Sequence, residues 1–200
     1  MNDIVTSGKI MLNSNEEYGK IVVSGKLKCE GNAKIASLNA NGKVKVYGHL
    51  EASDDVIISG KTKIKSINCK NFNCKGKIDI ESIKAKDVGI IISANSKIGV
   101  IIAEQNVQVQ KKEIALGEKE IANLILGMVK ADYDYKEMVS EARLDIQELR
   151  GKNIKVEDLN AKKIVGDIVI IGKNCVVGEV EYSTSLEMDK ASIVKNSKRI

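Results

Sequence analysis

Few residues in this 200-residue chain are equipped for chemistry. The sole histidine, His49, follows Gly48 at a turn, where an imidazole could serve as general base in acyl transfer. Four cysteines, Cys29, Cys69, Cys74 and Cys175, form no CxxC pair and no Cys/His cluster, so a zinc site has no support. Asp54 with Asp55, and Asp132 with Asp134, offer carboxylates for acid–base work or for calcium. Neighbouring strand residues point to opposite faces, however, and no oxygen-rich loop accompanies either pair. There is no glycine loop with a lysine and Ser/Thr to cradle phosphate. No nucleophile has a histidine to activate it except through His49. The expectation is a chain that is not an enzyme, with no catalytic residue, no metal and no cofactor.

The elements that would have to position any such group are unusually legible, because residues 4–98 repeat one pattern six times. A glycine, or in the last copy an alanine, stands at Gly8, Gly25, Gly42, Gly60, Gly76 and Ala94, with gaps of 17, 17, 18, 16 and 18 residues. Four residues earlier stand Ile4, Ile21, Leu38, Val56, Phe72 and Ile90, and two earlier Thr6, Val23, Ala40, Ile58, Cys74 and Ile92. Two residues later come Ile10, Leu27, Val44, Thr62, Ile78 and Ser96, and four later Leu12, Cys29, Val46, Ile64, Ile80 and Ile98. Lysine follows the glycine in five copies and Asn95 follows Ala94. A third apolar pair recurs as Ala33 and Ile35, Leu50 and Ala52, Ile67 and Cys69, Ile83 and Ala85, Ile101 and Ala103.

Apolar residues at alternate positions indicate strands, and a fixed period of this length indicates stacked units that cannot bury their own apolar face alone. Three short strands per copy make one triangular coil, and stacking the coils sets like strands about 4.8 Å apart. An antiparallel sandwich also alternates, but it has no reason to hold aligned apolar columns at a 17-residue period. The fold expected is all-β, a parallel β-helix of about 17 residues per coil. Three of the cysteines fall in its apolar columns, where a thiol acts as a small hydrophobe.

Composition narrows the function further. Five Tyr, one Phe and no Trp leave few flat rings for stacking on sugars or on single-stranded bases. A net charge of +5, spread as lysine over nearly every turn, reads as a solvated surface, with attraction to nucleic acid or anionic lipid as the alternative, and no specific nucleic-acid partner is expected. The N-terminal residues lack a signal-peptide pattern, and no apolar run approaches the roughly 18 residues of a bilayer span. The chain reads as cytoplasmic and reduced.

The first coil begins almost at once, so Ile4 and Val5 are expected at an open end of the solenoid, whose unpaired strand groups invite another chain. The period lapses after Val109. Ile121, Leu124, Ile125, Met128 and Val129 then follow helical spacing, with Glu118 and Glu120 ahead and Lys130 behind. A helix over 118–131 is expected, packed on the solenoid or docking a partner. Alternation resumes near Leu144 and Ile146 and continues through pairs such as Ile154 and Val156, Ile168 and Ile170, and Cys175 and Val177. Three segments are therefore expected: a first β-helix half at 1–110, a helical insertion at 111–142 and a second half at 143–200. Leu186, Met188, Ile193 and Val194 mark the opposite end.

Repeats such as Ser24-Gly25-Lys26-Leu27-Lys28 and Ser59-Gly60-Lys61-Thr62-Lys63-Ile64 resemble those of the bactofilins, bacterial polymer-forming cytoskeletal proteins. The run Ile170-Ile171-Gly172-Lys173-Asn174-Cys175, with Gly178-Glu179-Val180-Glu181-Tyr182 after it, looks like the ending of the long Gram-positive type, in which a helical insertion joins two solenoid halves. The resemblance implies a right-handed coil that joins end to end into non-polar filaments without nucleotide. It also implies a scaffold for cell-shape or envelope machinery, with cell-envelope proteins as partners and membrane association in some members. No catalytic residue carries over.

The leading expectation is thus a self-assembling structural protein whose polymer contacts are Ile4, Val5 and Ile10 at one end and Leu186, Met188, Ile193 and Val194 at the other. The alternative is a solenoid that does not polymerise and recruits a partner through the helix bearing Ile121 to Val129. A third reading, a left-handed β-helix acyltransferase using His49, has only Ile171-Gly172 and Val177-Gly178 as hexapeptide-like steps.

Overall fold

The computed structural model describes residues 2–112 and 141–200, and everything below concerns those residues. They form thirteen strands: β1 (Asn2–Thr6), β2 (Lys9–Leu12), β3 (Glu17–Cys29), β4 (Ala33–Ala52), β5 (Val56–Asn68), β6 (Asn71–Ala85), β7 (Asp87–Ile92), β8 (Ser96–Ala103), β9 (Asn106–Lys111), β10 (Leu144–Val156), β11 (Leu159–Ile171), β12 (Val176–Met188) and β13 (Ile193–Arg199). Every ladder between them is parallel, and the long strands bend through corners without leaving the sheet. The result is a solenoid with three flanks. The helix expected over 118–131, with Ile121, Leu124, Ile125, Met128 and Val129, lies outside the described residues, as does Asp132 with Asp134.

On the first flank one inward column runs Ile4, Ile21, Leu38, Val56, Phe72, Val88, Val107, Ile154, Val169 and Leu186, one residue per rung. On the second flank Leu12, Cys29, Val46, Ile64, Ile80, Ile98, Ile146, Ala161, Val177 and Val194 stack in the same way. The third carries Leu50, Ile67, Ile83, Ile101, Leu149, Ile164 and Val180. These columns meet in one continuous core. Each interior aliphatic contributes roughly 1.5–3 kcal/mol by leaving water.

The corner between the first and second flanks explains the glycine column. Gly42 has φ 131° between Gly25 and Gly60, which share its conformation. A Cβ on Gly42 would overlap the carbonyl oxygen of Gly25 one rung below. Only glycine fits both the torsion and the approach.

Two details of the repeat differ from the expectation. Gly76 pairs with Ile92, not Ala94, so Phe72 stacks on Val88 and Cys74 on Ile90. Ile78 and Ile80 still align with Ser96 and Ile98, and the surplus residues, Ser93 to Asn95, are taken up in the corner. A slip of two residues leaves every side chain on its original face, so apolar alternation alone does not reveal it. The second correction is one of phase: Val169 and Ile171 point inward, while Ile168 and Ile170 point out. The run Ile168–Ile171 has no alternation of its own; stacking of Ile154 on Val169 and Val156 on Ile171 decides it.

The described strands on either side of 113–140 stack directly on one another. Ser96 lies opposite Leu144 and Asn106 opposite Asn153. Across this seam Arg143 N–H donates to Asn95 Oδ1 and Asn153 Nδ2 to Asn106 Oδ1, between residues 48 and 47 positions apart.

Candidate functional site: the two solenoid ends

Each end of the stack leaves one edge of its terminal rung without a described strand against it. At the N-terminal end β1 and β2 lie on β3, placing Ile4 on Ile21, Thr6 on Val23 and Ile10 on Leu27. Ile4 and Ile10 are half-buried and pack on the core from one side only. Val5 pairs with Val22 and is 80 % exposed, pointing out of the flank instead of into the stack. Two polar devices close part of this edge. Asp3 Oδ1 accepts the Lys20 N–H at 2.8 Å, where the ladder slips between Asn2 and Ile4. The Tyr18 hydroxyl accepts from Asn13 N–H and donates to Glu16, tying down the corner.

At the C-terminal end β13 lies on β12. Val194 stacks on Val177, but Ser197 covers Val180 and Arg199 covers Tyr182, so the third-flank column turns polar. Leu186 is half-buried, Met188 is 52 % exposed and Ile193 is 60 % exposed. Ile193 pairs with Val176 on an outward row, so it lies on the flank like Val5. Of the residues assigned to polymer contact, Ile4, Ile10, Leu186, Met188 and Val194 face the stacking direction, and Val5 and Ile193 do not. The buried Ser192 hydroxyl accepts from Cys175 N–H at 2.8 Å and donates to the Gly172 carbonyl at 2.6 Å, closing the last corner.

The groups that suggested chemistry are placed differently. His49 sits on an outward row of the third flank, its N–H bonded to Asn32 Oδ1 and its Nδ1 2.8 Å from Ser66 Oγ. The surrounding hollow is an open corner lined by Asn15, Glu17, Lys34 and Glu51. Asp54 reaches Lys70 at 3.4 Å while Asp55 accepts from Asn71 at 2.7 Å, so the two carboxylates diverge. All four cysteines are buried. Burial pushes the Cys69 thiol up to about 12 and the Cys74 thiol up to about 11, which keeps both protonated at neutral pH. Among the described residues no group of three or more His, Cys, Asp or Glu side chains is placed to hold a metal ion, and no helix is long and apolar enough to cross a membrane.

One buried charge escaped the sequence reading. Asp158, in a left-handed corner at φ 52°, accepts on Oδ1 from Lys111 Nζ at 3.1 Å and from Asn174 Nδ2 at 3.0 Å. It fastens the end of β9 to the corners of the next two rungs. Its signal was the spacing of Asp158 and Asn174, 16 residues apart in equivalent corners, both residue types that tolerate this conformation.

Set against known proteins, the chain matches no family model, no curated protein and no solved structure.

Proposed function

We propose that this protein is a structural one that assembles end to end through the terminal rungs of its solenoid, as the resemblance to bactofilins implies. The observation that carries this reading is the seam between β8–β9 and β10. There two stretches of chain far apart in sequence stack with the same parallel register, core columns and cross-rung bonds as consecutive coils. Rung-to-rung contact therefore does not depend on a short connection, and a second copy offering the same cross-section can supply it. Ile4 and Ile10 at one end, and Leu186, Met188 and Val194 at the other, bring half-buried or exposed apolar surface to such a joint. Assembly of this kind uses no nucleotide, and the product is a filament serving as a scaffold. A right-handed coil belongs to the same proposal.

Negative-stain microscopy of the purified chain tests it. Fibres are expected whose axial repeat reflects ten rungs of about 4.8 Å, near 48 Å per copy. Joining of like ends, which gives a non-polar filament, doubles that repeat. A discrete particle at every concentration and salt would overturn the proposal and favour a solenoid that works as a single binding module.

A further inference from the structure

The three flanks carry different charge. Outward positions of the first are largely uncharged, as in Val22, Asn39, Ile57, Asn73 and Gly89. The third mixes signs and pairs them: Lys34 with Glu17 at 2.6 Å, Arg150 with Glu148, and Lys163 with Glu181 at 2.8 Å. The second is different. Lys9, Lys26, Lys43, Lys61 and Lys77 form one unbroken outward column. Two residues along the strand a parallel column holds Lys28, Lys45, Lys63 and Lys97. Two carboxylates touch this array: Glu30 pairs with Lys28, and Asp79 bridges Lys63 at 3.2 Å and Lys97 at 3.5 Å. Lys9, Lys26, Lys43, Lys45 and Lys61 make no ion pair with any described residue.

Between the two columns the surface is hollow. A trough of about 230 Å³ is lined by Lys9, Lys26 and Lys43 from one column and Lys28 and Lys45 from the other, with Tyr47 beside them. The charges face one another across it. The Lys43 ammonium is held below its ordinary pKa, foremost by Lys45 in the opposite column, then by desolvation and by Lys26 and Lys61 in its own. Tyr47 is 46 % exposed, with the Lys28 and Lys45 ammonium groups 5.7 and 5.9 Å from its ring centre. It also lines the next hollow along the stack, where Asp79, Glu81 and Asp145 join Lys63 and Lys97. The uncompensated positive charge therefore runs from Lys9 to Lys61 and ends where those carboxylates begin.

We propose that this trough binds a single strand of nucleic acid along the rod axis, through its phosphates and without regard to sequence. Charge density supports the match. Two ammonium groups per rung of about 4.8 Å give one cation per about 2.4 Å of axis, and a stacked strand presents one phosphate per about 3.4 Å. Cations that converge on a channel complement charge strung along a line, whereas a bilayer spreads its charge over a plane. An anion laid in the trough also relieves the repulsion between Lys43 and Lys45. Tyr47, at the side of the channel, offers its ring to one base. Binding belongs to each copy and does not rest on end-to-end assembly.

The test is fluorescence anisotropy of a short labelled thymidine oligonucleotide with the intact protein, over a salt series. Binding is expected at low salt, with a log–log slope of about −3.5 from Lys9, Lys26, Lys43, Lys45 and Lys61 at about −0.7 each. The K26Q/K43Q/K45Q set should reduce that slope by about 2 and weaken binding at least tenfold. The same number of exchanges outside the trough, K84Q/K86Q/K152Q, should leave both intact. Tyr47→Ala should cost about fivefold or more at an unchanged slope, and Tyr47→Phe should bind as the parent does. Inorganic polyphosphate should compete through the same lysines and be indifferent to Tyr47→Ala. Circular dichroism checks each variant, and should the triple set unfold, the parent slope and the Tyr47 pair still decide. No binding at low salt, equal loss in both lysine sets, or tighter binding of a duplex of the same length would each overturn the proposal. Displacement of the strand by phosphatidylglycerol vesicles at equal phosphate would overturn it in favour of a membrane surface. Binding is expected to persist where light scattering shows only single copies, which separates it from assembly.

Discussion

The two ends of this solenoid are built from the same three-sided rung but finish it differently. The N-terminal rung keeps its core character to the edge: Ile4, Ile10 and the buried Leu12 continue columns that run the length of the stack. Its charges are few, with Asp3, Glu16 and Glu17 against Lys9. The C-terminal rung tapers. Ser197 and Arg199 replace the apolar residues of the third flank, Ser192 seals a corner, and Lys190, Lys195, Lys198 and Arg199 crowd one turn. The two outermost described rungs thus differ at their edges: one keeps hydrophobic surface there, the other covers part of it with hydroxyls and cations. The N-terminal rung should therefore form the stronger joint, and the C-terminal joint should depend on salt.

The largest effect belongs to neither end and sets the scale for both. Gly42→Ala forces a Cβ onto the Gly25 carbonyl in a torsion that L residues avoid, so it should cost about 3 kcal/mol or more and show as a large fall in Tm. An unchanged Tm would mean that the rungs are not stacked as described. Next come the ends. Ile10→Glu should raise the critical concentration for assembly at least tenfold by light scattering, from about 1.5 kcal/mol of lost burial alone. Val194→Glu, beside the terminal cations, should do less. A reversed order would break the comparison.

Salt sharpens it further. If like ends join, the C-terminal contact brings the lysine-rich rungs together, and raising ionic strength should lengthen fibres by screening them. If instead the basic end meets the end bearing Asp3, Glu16 and Glu17, the same salt should shorten fibres, and turbidity against salt reads the sign.

The smallest effect is pH. Glu17 is held below the usual carboxylate range by its hydrogen bond and charge contact with Lys34, and Glu181 by its hydrogen bond with Lys163. Both lysines are raised by the same pairs. A depressed carboxylate stabilises above its unfolded pKa and loses that stability as pH falls through the folded value. A raised lysine stabilises below its unfolded pKa and loses it as pH rises through the folded one. Both bridges therefore contribute across the neutral range and fade at either extreme. Because Glu17 and Lys34 are exposed and Lys163 and Glu181 are only half-buried, Tm should shift by only a degree or two between neutral and mildly acidic buffer.

Much of this was legible from residues alone. The glycine column, the three flanks and the inward residues through Cys74 follow from alternation and a constant period, because each rung repeats its neighbour's environment. Legibility failed where that constancy failed. The corner at Ser93 to Asn95 absorbs two residues without changing any face, so Ala94 took the place that belongs to Ile92. Ile168 to Ile171 is apolar throughout, and only its neighbours in space choose the inward pair. Ser96 and Ser192 look like breaks in an apolar column, yet each offers a hydroxyl to a backbone N–H, of Ile78 and Cys175, that has lost its ladder partner. At the ends Ile4, Ile10, Leu186, Met188 and Val194 continue inward rows while Val5 and Ile193 stand on outward ones, a difference that position along the chain does not reveal.

The seam between β9 and β10 has a practical meaning for how such a chain tolerates rearrangement. Cohesion there is transverse to the backbone, carried by side-by-side hydrogen bonds and interlocked aliphatics between residues far apart in sequence. Lengthening the intervening sequence adds little closure entropy, since each doubling costs only about 0.6 kcal/mol. Foreign sequence grafted between Lys112 and Glu141 should leave the rod seated, and cleaving the chain there should leave both fragments clasped.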